Sequence, residues 1–183
     1  MKKTLYAVLM ILATAAFVAG AAEARGMSHG QQVVKVKLVP LPKVTAKEGG
    51  EADFTLAKDG ETLRYVLRGR NVADVTMAHV HEVAADGTPG AIIAWLYPTT
   101  GEAPSLKAGK TTGIVAEGSI AAVKLGGPLK GGTVKDLYAR IEEGKAGVAI
   151  HTKENPGGEL WGFHKVGGHA KHAMGRRHAK KTT

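Results

Sequence analysis

The sequence predicts an all-β fold, an antiparallel β-sandwich with one short helix. Seven or eight segments of strand length alternate between apolar and polar residues, and turn-forming residues separate them. Only residues 133–141 place apolar side chains at helical spacing. Short strands in series, joined by turns, favour antiparallel pairing, and a barrel is the alternative architecture.

The first three predicted strands lie between residues 33 and 68. Val33–Val39 alternates well enough for a strand with one solvated face, and Pro40 ends it because proline cannot donate to a ladder. Residues 52–56 and 62–68 alternate in the same way. An Asp-Gly pair at 59–60 separates these two runs, which predicts a β-hairpin.

The middle of the chain carries the next predicted strands. Residues 77–83 form a strand with two histidines, a turn follows at 86–90, and 91–96 is an apolar strand. Residues 98–112 contain prolines, glycines, serines and threonines without periodicity, and therefore predict a loop. Residues 114–120 are the next candidate strand.

A short helix and two strands complete the predicted domain. Thr133 is the expected N-cap of the helix, and Gly144 is expected to stop it. Residues 146–151 and 159–163 form the last two strands, and an Asn-Pro-Gly-Gly turn connects them.

Residues 1–24 have the pattern of a secretory signal peptide. Lys2 and Lys3 precede an apolar run, and small residues follow it. The run is short for a bilayer, which favours a cleaved signal over a transmembrane anchor. The chain contains no cysteine, so disulfides and thiolate ligands are excluded. We expect a periplasmic or secreted protein with no transmembrane span after signal removal.

The formal net charge of +9 is concentrated at the C-terminus. Six Lys or Arg residues and no acidic residue follow position 164, and residues 25–164 carry a net charge of only +2. A nearly neutral body argues against nucleic-acid binding. Residues 25–32 are expected to be a flexible leader, and 165–183 a disordered, basic, His-rich tail. Such a tail suits loose metal chelation or an anionic envelope polymer or lipid, and simple solvation is the alternative.

His79, His81, His151 and His164 are the candidate metal ligands. His79 and His81 leave the same face of an extended strand, because side chains alternate along it. Neutral imidazole suits copper or zinc, although many solvated strands carry two histidines. His151 would complete a three-imidazole set, with His164 or water in the fourth position. The alternative is that these histidines make structural hydrogen bonds without metal.

The aromatic and acidic residues near these histidines have a second possible role. Trp95, Trp161 and Phe163 could form a ligand platform, but the sequence favours core packing for all three. Glu82 and Glu159 could orient an imidazole, and solvation is the alternative for each.

Four separated motifs, in order, resemble the CHRD (chordin-type) domain family. They are Val39-Pro40-Leu41-Pro42, Ala78-His79-Val80-His81, Gly126-Gly127-Pro128-Leu129, and Ile150-His151-Thr152 with Asn155-Pro156-Gly157-Gly158-Glu159-Leu160. The resemblance covers residues 33–164. It implies a secreted β-sandwich domain, and most bacterial members of the family have no assigned activity, so fold alone does not give function.

A second resemblance concerns the copper/zinc superoxide dismutases. His79-Val80-His81-Glu82 is similar to their paired copper-ligand strand, and residues 149–155 resemble the late strand and loop that carry another copper ligand. This resemblance implies a superoxide-dismutase or immunoglobulin type of sandwich and a three-His copper site. No histidine lies between positions 81 and 151, so the zinc ligands have no counterpart and zinc is the less favoured ion.

Three classes of function remain open from the sequence. The first is an exported envelope module that binds copper at the histidines, the second a redox enzyme like superoxide dismutase, and the third a structural or adhesive protein without metal. No serine lies in a nucleophile elbow and no glycine-rich phosphate loop precedes a helix. The sequence therefore favours a non-enzymatic module.

Overall fold

The computed structural model describes residues 32–45, 47–99 and 103–166. The predicted signal peptide, nearly all of the predicted leader and the tail beyond Val166 lie outside the described residues. Within them, no helix is long and apolar enough to cross a membrane.

Seven strands and one α-helix form the domain. In chain order they are β1 (Val33–Pro40), β2 (Gly49–Leu56), β3 (Thr62–Val83), β4 (Pro89–Tyr97), β5 (Lys107–Ala121), α1 (Val134–Glu142), β6 (Ala146–Thr152) and β7 (Leu160–Phe163). Two single-turn 3₁₀ helices, Ala122–Lys124 and Gly127–Leu129, lie between β5 and α1. The predicted all-β fold with one short α-helix is confirmed.

The strands pair antiparallel into a closed barrel with two additional strands. The pairing runs β2-β1-β7-β6-β3 and closes because β3 also pairs with β2. Strands β4 and β5 pair with β3 as well. All pairings belong to one sheet, so the barrel describes the pairing better than a sandwich of two separate sheets.

The long strand β3 bends in its middle. Asn71 and Asp74 adopt positive φ angles of 62° and 47°, a conformation that Asn and Asp tolerate better than most residues. The Asp74 carboxylate accepts a 2.6 Å hydrogen bond from the Gly109 amide of β5, which holds the bend. Residues 62–68 and 77–83, predicted as separate strands, are therefore the two ends of one strand.

Strand β5 corrects the predicted loop over residues 98–112. It begins at Lys107, although Gly109 and Gly113 give this stretch a loop-like composition. Both glycines adopt positive φ, at 80° and 111°, where the register between β3 and β5 is irregular. Glycine here marks bulges within a strand and not the end of one.

Helix α1 forms as predicted. The Thr133 hydroxyl accepts from the Asp136 amide, and the Asp136 carboxylate accepts from the Thr133 amide, which gives a capping box. Gly144, at a φ of 69°, follows the last turn. The helix buries four side chains against the barrel: Val134, Leu137, Tyr138 and Ile141.

Candidate metal centre

Three histidines lie together on the side of the sheet that faces away from the hydrophobic core. In β3, Ala78 and Val80 enter the core, so His79 and His81 leave the opposite face. These two rings are nevertheless only 2% and 6% exposed. His151 of β6 joins them and is 7% exposed.

The register of β3 and β6 brings the three rings together. Met77 lies opposite His151, His79 opposite Ala149, and His81 opposite Gly147. His79 and His151 are therefore diagonal neighbours on one face, while β6 offers only small residues directly beside His79 and His81. The alternation of large and small side chains gives the imidazoles room.

The nitrogen positions fit a shared ion. The His79 Nδ1 and His151 Nε2 atoms lie 3.2 Å apart. One ring nitrogen from each of the three histidines lies within 4.8 Å of the others. Two nitrogens bound tetrahedrally to one ion, each about 2.0–2.1 Å from it, are about 3.3 Å apart. The closest pair of nitrogens is thus near the spacing that an ion requires, and the set of three lies within 4.8 Å.

Two backbone carbonyls fix the orientation of the rings. His81 Nδ1 donates to the Gly90 carbonyl, and His151 Nδ1 donates to the Pro156 carbonyl, each at 2.9 Å. Because a carbonyl only accepts, the Nε2 atoms of His81 and His151 carry lone pairs. His79 Nδ1 then donates to His151 Nε2. The Nε2 atoms of His79 and His81 are left buried without a hydrogen-bond partner.

All three imidazoles are held in the neutral form. Burial, together with smaller contributions from the neighbouring His151 and His81 rings, lowers the pKa of His79 from 6.5 to about 3. Burial also lowers the pKa of His81, against the opposing effect of the Gly90 hydrogen bond. The pKa of His151 is lowered by burial in the same way. Neutral imidazole is the form that binds metal.

The two tryptophans of the chain flank the cluster. The Trp95 ring stands edge-on to His79, with the ring centroids 4.2 Å apart, and Trp161 stands edge-on to His81 at 6.0 Å. Trp161 Nε1 donates a 2.8 Å hydrogen bond to the Gly87 carbonyl in the β3–β4 turn. Trp161 is buried, as core packing predicts, and Trp95 is half-buried; both pack beside the histidines and lie outside the main hydrophobic cluster.

Glu159 supports the cluster from a distance, through the β6–β7 turn. Its carboxylate accepts from the Thr152 hydroxyl at 2.5 Å and from the Asn155 amide at 3.3 Å. These bonds fix the turn that presents the Pro156 carbonyl to His151. Glu82 is not involved, because its carboxylate pairs with Arg140 at 3.4 Å.

His164 does not join the other three candidate ligands. Its Nδ1 lies 3.1 Å from the Lys35 carbonyl, and the residue is half-buried. In β7, Trp161 and Phe163 pair with Ala149 and Gly147 on the histidine side. The residue that follows them therefore points away from the cluster.

The sequence reasoning missed the residues that shape the cluster without binding. The spacing of Gly147, Ala149 and His151 was a usable signal, because small residues at alternate positions mark a face with bulky neighbours. The carbonyl groups of Gly90 and Pro156 gave no sequence signal, since any residue supplies a carbonyl.

The comparisons with known proteins agree with this architecture. The family model for the CHRD domain matches residues 26–163, which include the whole barrel and the three clustered histidines. No curated protein and no solved structure matches the chain. The family match covers most of the sequence, and the chain belongs to the CHRD domain family.

Proposed function

We propose that this CHRD domain is an exported binding module that holds one transition-metal ion through His79, His81 and His151. Copper is the favoured ion and zinc the second. The export rests on the signal-like pattern of residues 1–24, and the basic tail would hold the module near anionic envelope polymers or lipid.

One observation favours metal binding over a purely structural role for the three histidines. The Nε2 atoms of His79 and His81 are buried without a hydrogen-bond partner. Leaving such a group unsatisfied costs about 1–3 kcal/mol. Histidines retained only for hydrogen bonding would satisfy both nitrogens, whereas an ion bound in the cluster would take one lone pair from each ring.

The choice of copper follows from the donor set. Imidazole nitrogen suits copper and zinc, and for a given nitrogen site copper binds more tightly than the other divalent first-row ions. The chain has no cysteine that would favour a structural thiolate zinc site.

The burial of the cluster supports binding in preference to turnover. The three rings are 2–7% exposed. A catalytic metal keeps an open position for substrate, whereas a binding site is closed. This favours the module over a redox enzyme of superoxide-dismutase type.

The test is a metal titration of the purified chain without an affinity His-tag. We expect one equivalent of Cu(II) or Zn(II) to bind at the cluster and to raise the thermal midpoint. Binding at a hundred times Kd corresponds to about 2.7 kcal/mol of added stability. His79→Ala and His151→Ala should abolish this stabilisation, while His164→Ala, which removes a half-buried histidine outside the cluster, should retain it.

A metal-free domain whose thermal midpoint does not respond to either ion would refute the proposal. Because that measurement uses the unsubstituted chain, it holds even where a histidine variant fails to fold.

A further inference from the structure

The donors of the cluster carry no charge. In the part of the chain that the structure describes, the three histidines are the one group of metal-ligating side chains, and no carboxylate belongs to it. The buried carboxylate of Glu159 is occupied by Thr152 and Asn155. An ion bound here therefore keeps its full charge.

The surroundings of the cluster are apolar and nearly dry. Trp95 and Trp161 stand against the rings of His79 and His81, and little of the rings reaches solvent. The cost of moving an ion from water into such a medium rises with the square of its charge. At equal radius, the free energy of this transfer is therefore about four times less favourable for a divalent ion than for a monovalent ion. With no anionic ligand in the site, this difference favours the monovalent ion.

The number of donors in the cluster also favours a monovalent ion. Structural Zn(II) is four-coordinate and tetrahedral, and Cu(II) prefers four donors in a tetragonal arrangement. The cluster offers three imidazoles, and His164 lies elsewhere. Cu(I) carries only one charge and is satisfied by three donors, whereas Zn(II), which has the same filled d shell, carries two charges and usually takes a fourth donor.

A soft donor also neighbours the cluster. Met77 lies opposite His151 in the β3–β6 ladder and shares the face of His79. Thioether sulfur is a ligand type that selects Cu(I) over divalent ions.

We propose that the cluster of His79, His81 and His151 selects Cu(I) over Cu(II) and Zn(II). This inference rests on the metal-binding function proposed above and names its ion. It makes the domain a holder of reduced copper that discourages oxidation of the bound ion, in contrast to a centre that cycles between two oxidation states.

The experiment measures the affinities of the full chain, without an affinity tag, for three ions. Cu(I) is supplied anaerobically from a chromophoric chelator, and Cu(II) and Zn(II) from competing chelators. Tryptophan fluorescence reports ion binding at the cluster, because both tryptophans of the chain flank it. His164→Ala is the matched control and should leave all three affinities unchanged.

We expect the Kd for Cu(I) to be about a hundredfold lower than that for Cu(II), which raises the reduction potential of bound copper by about 120 mV above the hydrated couple. The Kd for Zn(II) should also exceed that for Cu(I). If Cu(II) or Zn(II) changes the tryptophan signal and binds more tightly than Cu(I), the selectivity is refuted and the metal site stands. If no ion changes the signal or the thermal midpoint, both proposals fail.

Discussion

Gly147 is the position where packing behind the histidine cluster can be tested most directly. A Cβ atom added there would lie 2.6 Å from the Gly162 carbonyl oxygen and 2.7 Å from the Trp161 ring. The carbonyl belongs to β7, which pairs with β6, and the Trp161 ring is held by its bond to Gly87. Neither neighbour can move alone. We expect Gly147→Ala to lower the free energy of unfolding by about 2–3 kcal/mol, in the upper part of the range for overpacking.

Thermal and urea unfolding of the metal-free chain, followed by circular dichroism, measure this loss. At about 3 °C per kcal/mol for a domain of this size, the thermal midpoint should fall by roughly 6–9 °C. The control is Gly157→Ala, because a Cβ there meets nothing within 4 Å. Its change should stay within about 0.5 kcal/mol. Equal midpoints for the two variants would refute the close packing of β7 on β6.

Two further predictions concern protons and the β6–β7 turn. Burial depresses the pKa of each clustered imidazole below 6.5, so the unfolded chain binds more protons at acid pH. The histidines therefore contribute their full stabilisation to the metal-free domain above pH 6.5. The free energy of unfolding falls as the pH drops towards 5, by up to about 1.4 kcal/mol per pH unit per histidine. Urea midpoints at pH 7.5, 6 and 5 measure this loss, and equal midpoints at the three pH values contradict it. Glu159→Gln should weaken metal binding about tenfold, because it loosens the turn that holds the Pro156 carbonyl against His151. Loss of a group that orients a metal ligand without binding the ion typically has an effect of this size. Chelator competition measures this effect, with the exposed Glu154→Gln as the control that should bind as the unsubstituted chain does.

Local patterns in the sequence were sufficient to locate most of the elements, but not the start of β5 or the continuity of β3. Alternation located the strands, and the Thr133 cap located the helix, because both depend on residues close in the chain. The bend of β3 was not predictable in this way. It depends on Asp74 meeting Gly109 of another strand, a contact that no local window contains.

The candidate site, like the fold, could be predicted from local sequence patterns only in part. The pairing of His79 with His81 follows from strand geometry alone, and the approach of His151 was expected from the family resemblance. The burial of these rings was not predictable, because alternation shows which side chains share a face but not whether that face is covered. Trp161 covers it only because β7 pairs beside β6 in this register.

Two turns orient the histidine rings of the cluster for metal binding. The β3–β4 turn supplies the Gly90 carbonyl to His81, and the β6–β7 turn supplies the Pro156 carbonyl to His151. Each carbonyl takes the proton-bearing nitrogen, so the other nitrogen of each ring carries its lone pair into the cluster. If either turn were displaced, the ring it holds could rotate or change tautomer, and its lone pair would no longer face the cluster. Metal binding by this domain therefore depends on the geometry of two turns as much as on the three histidines themselves.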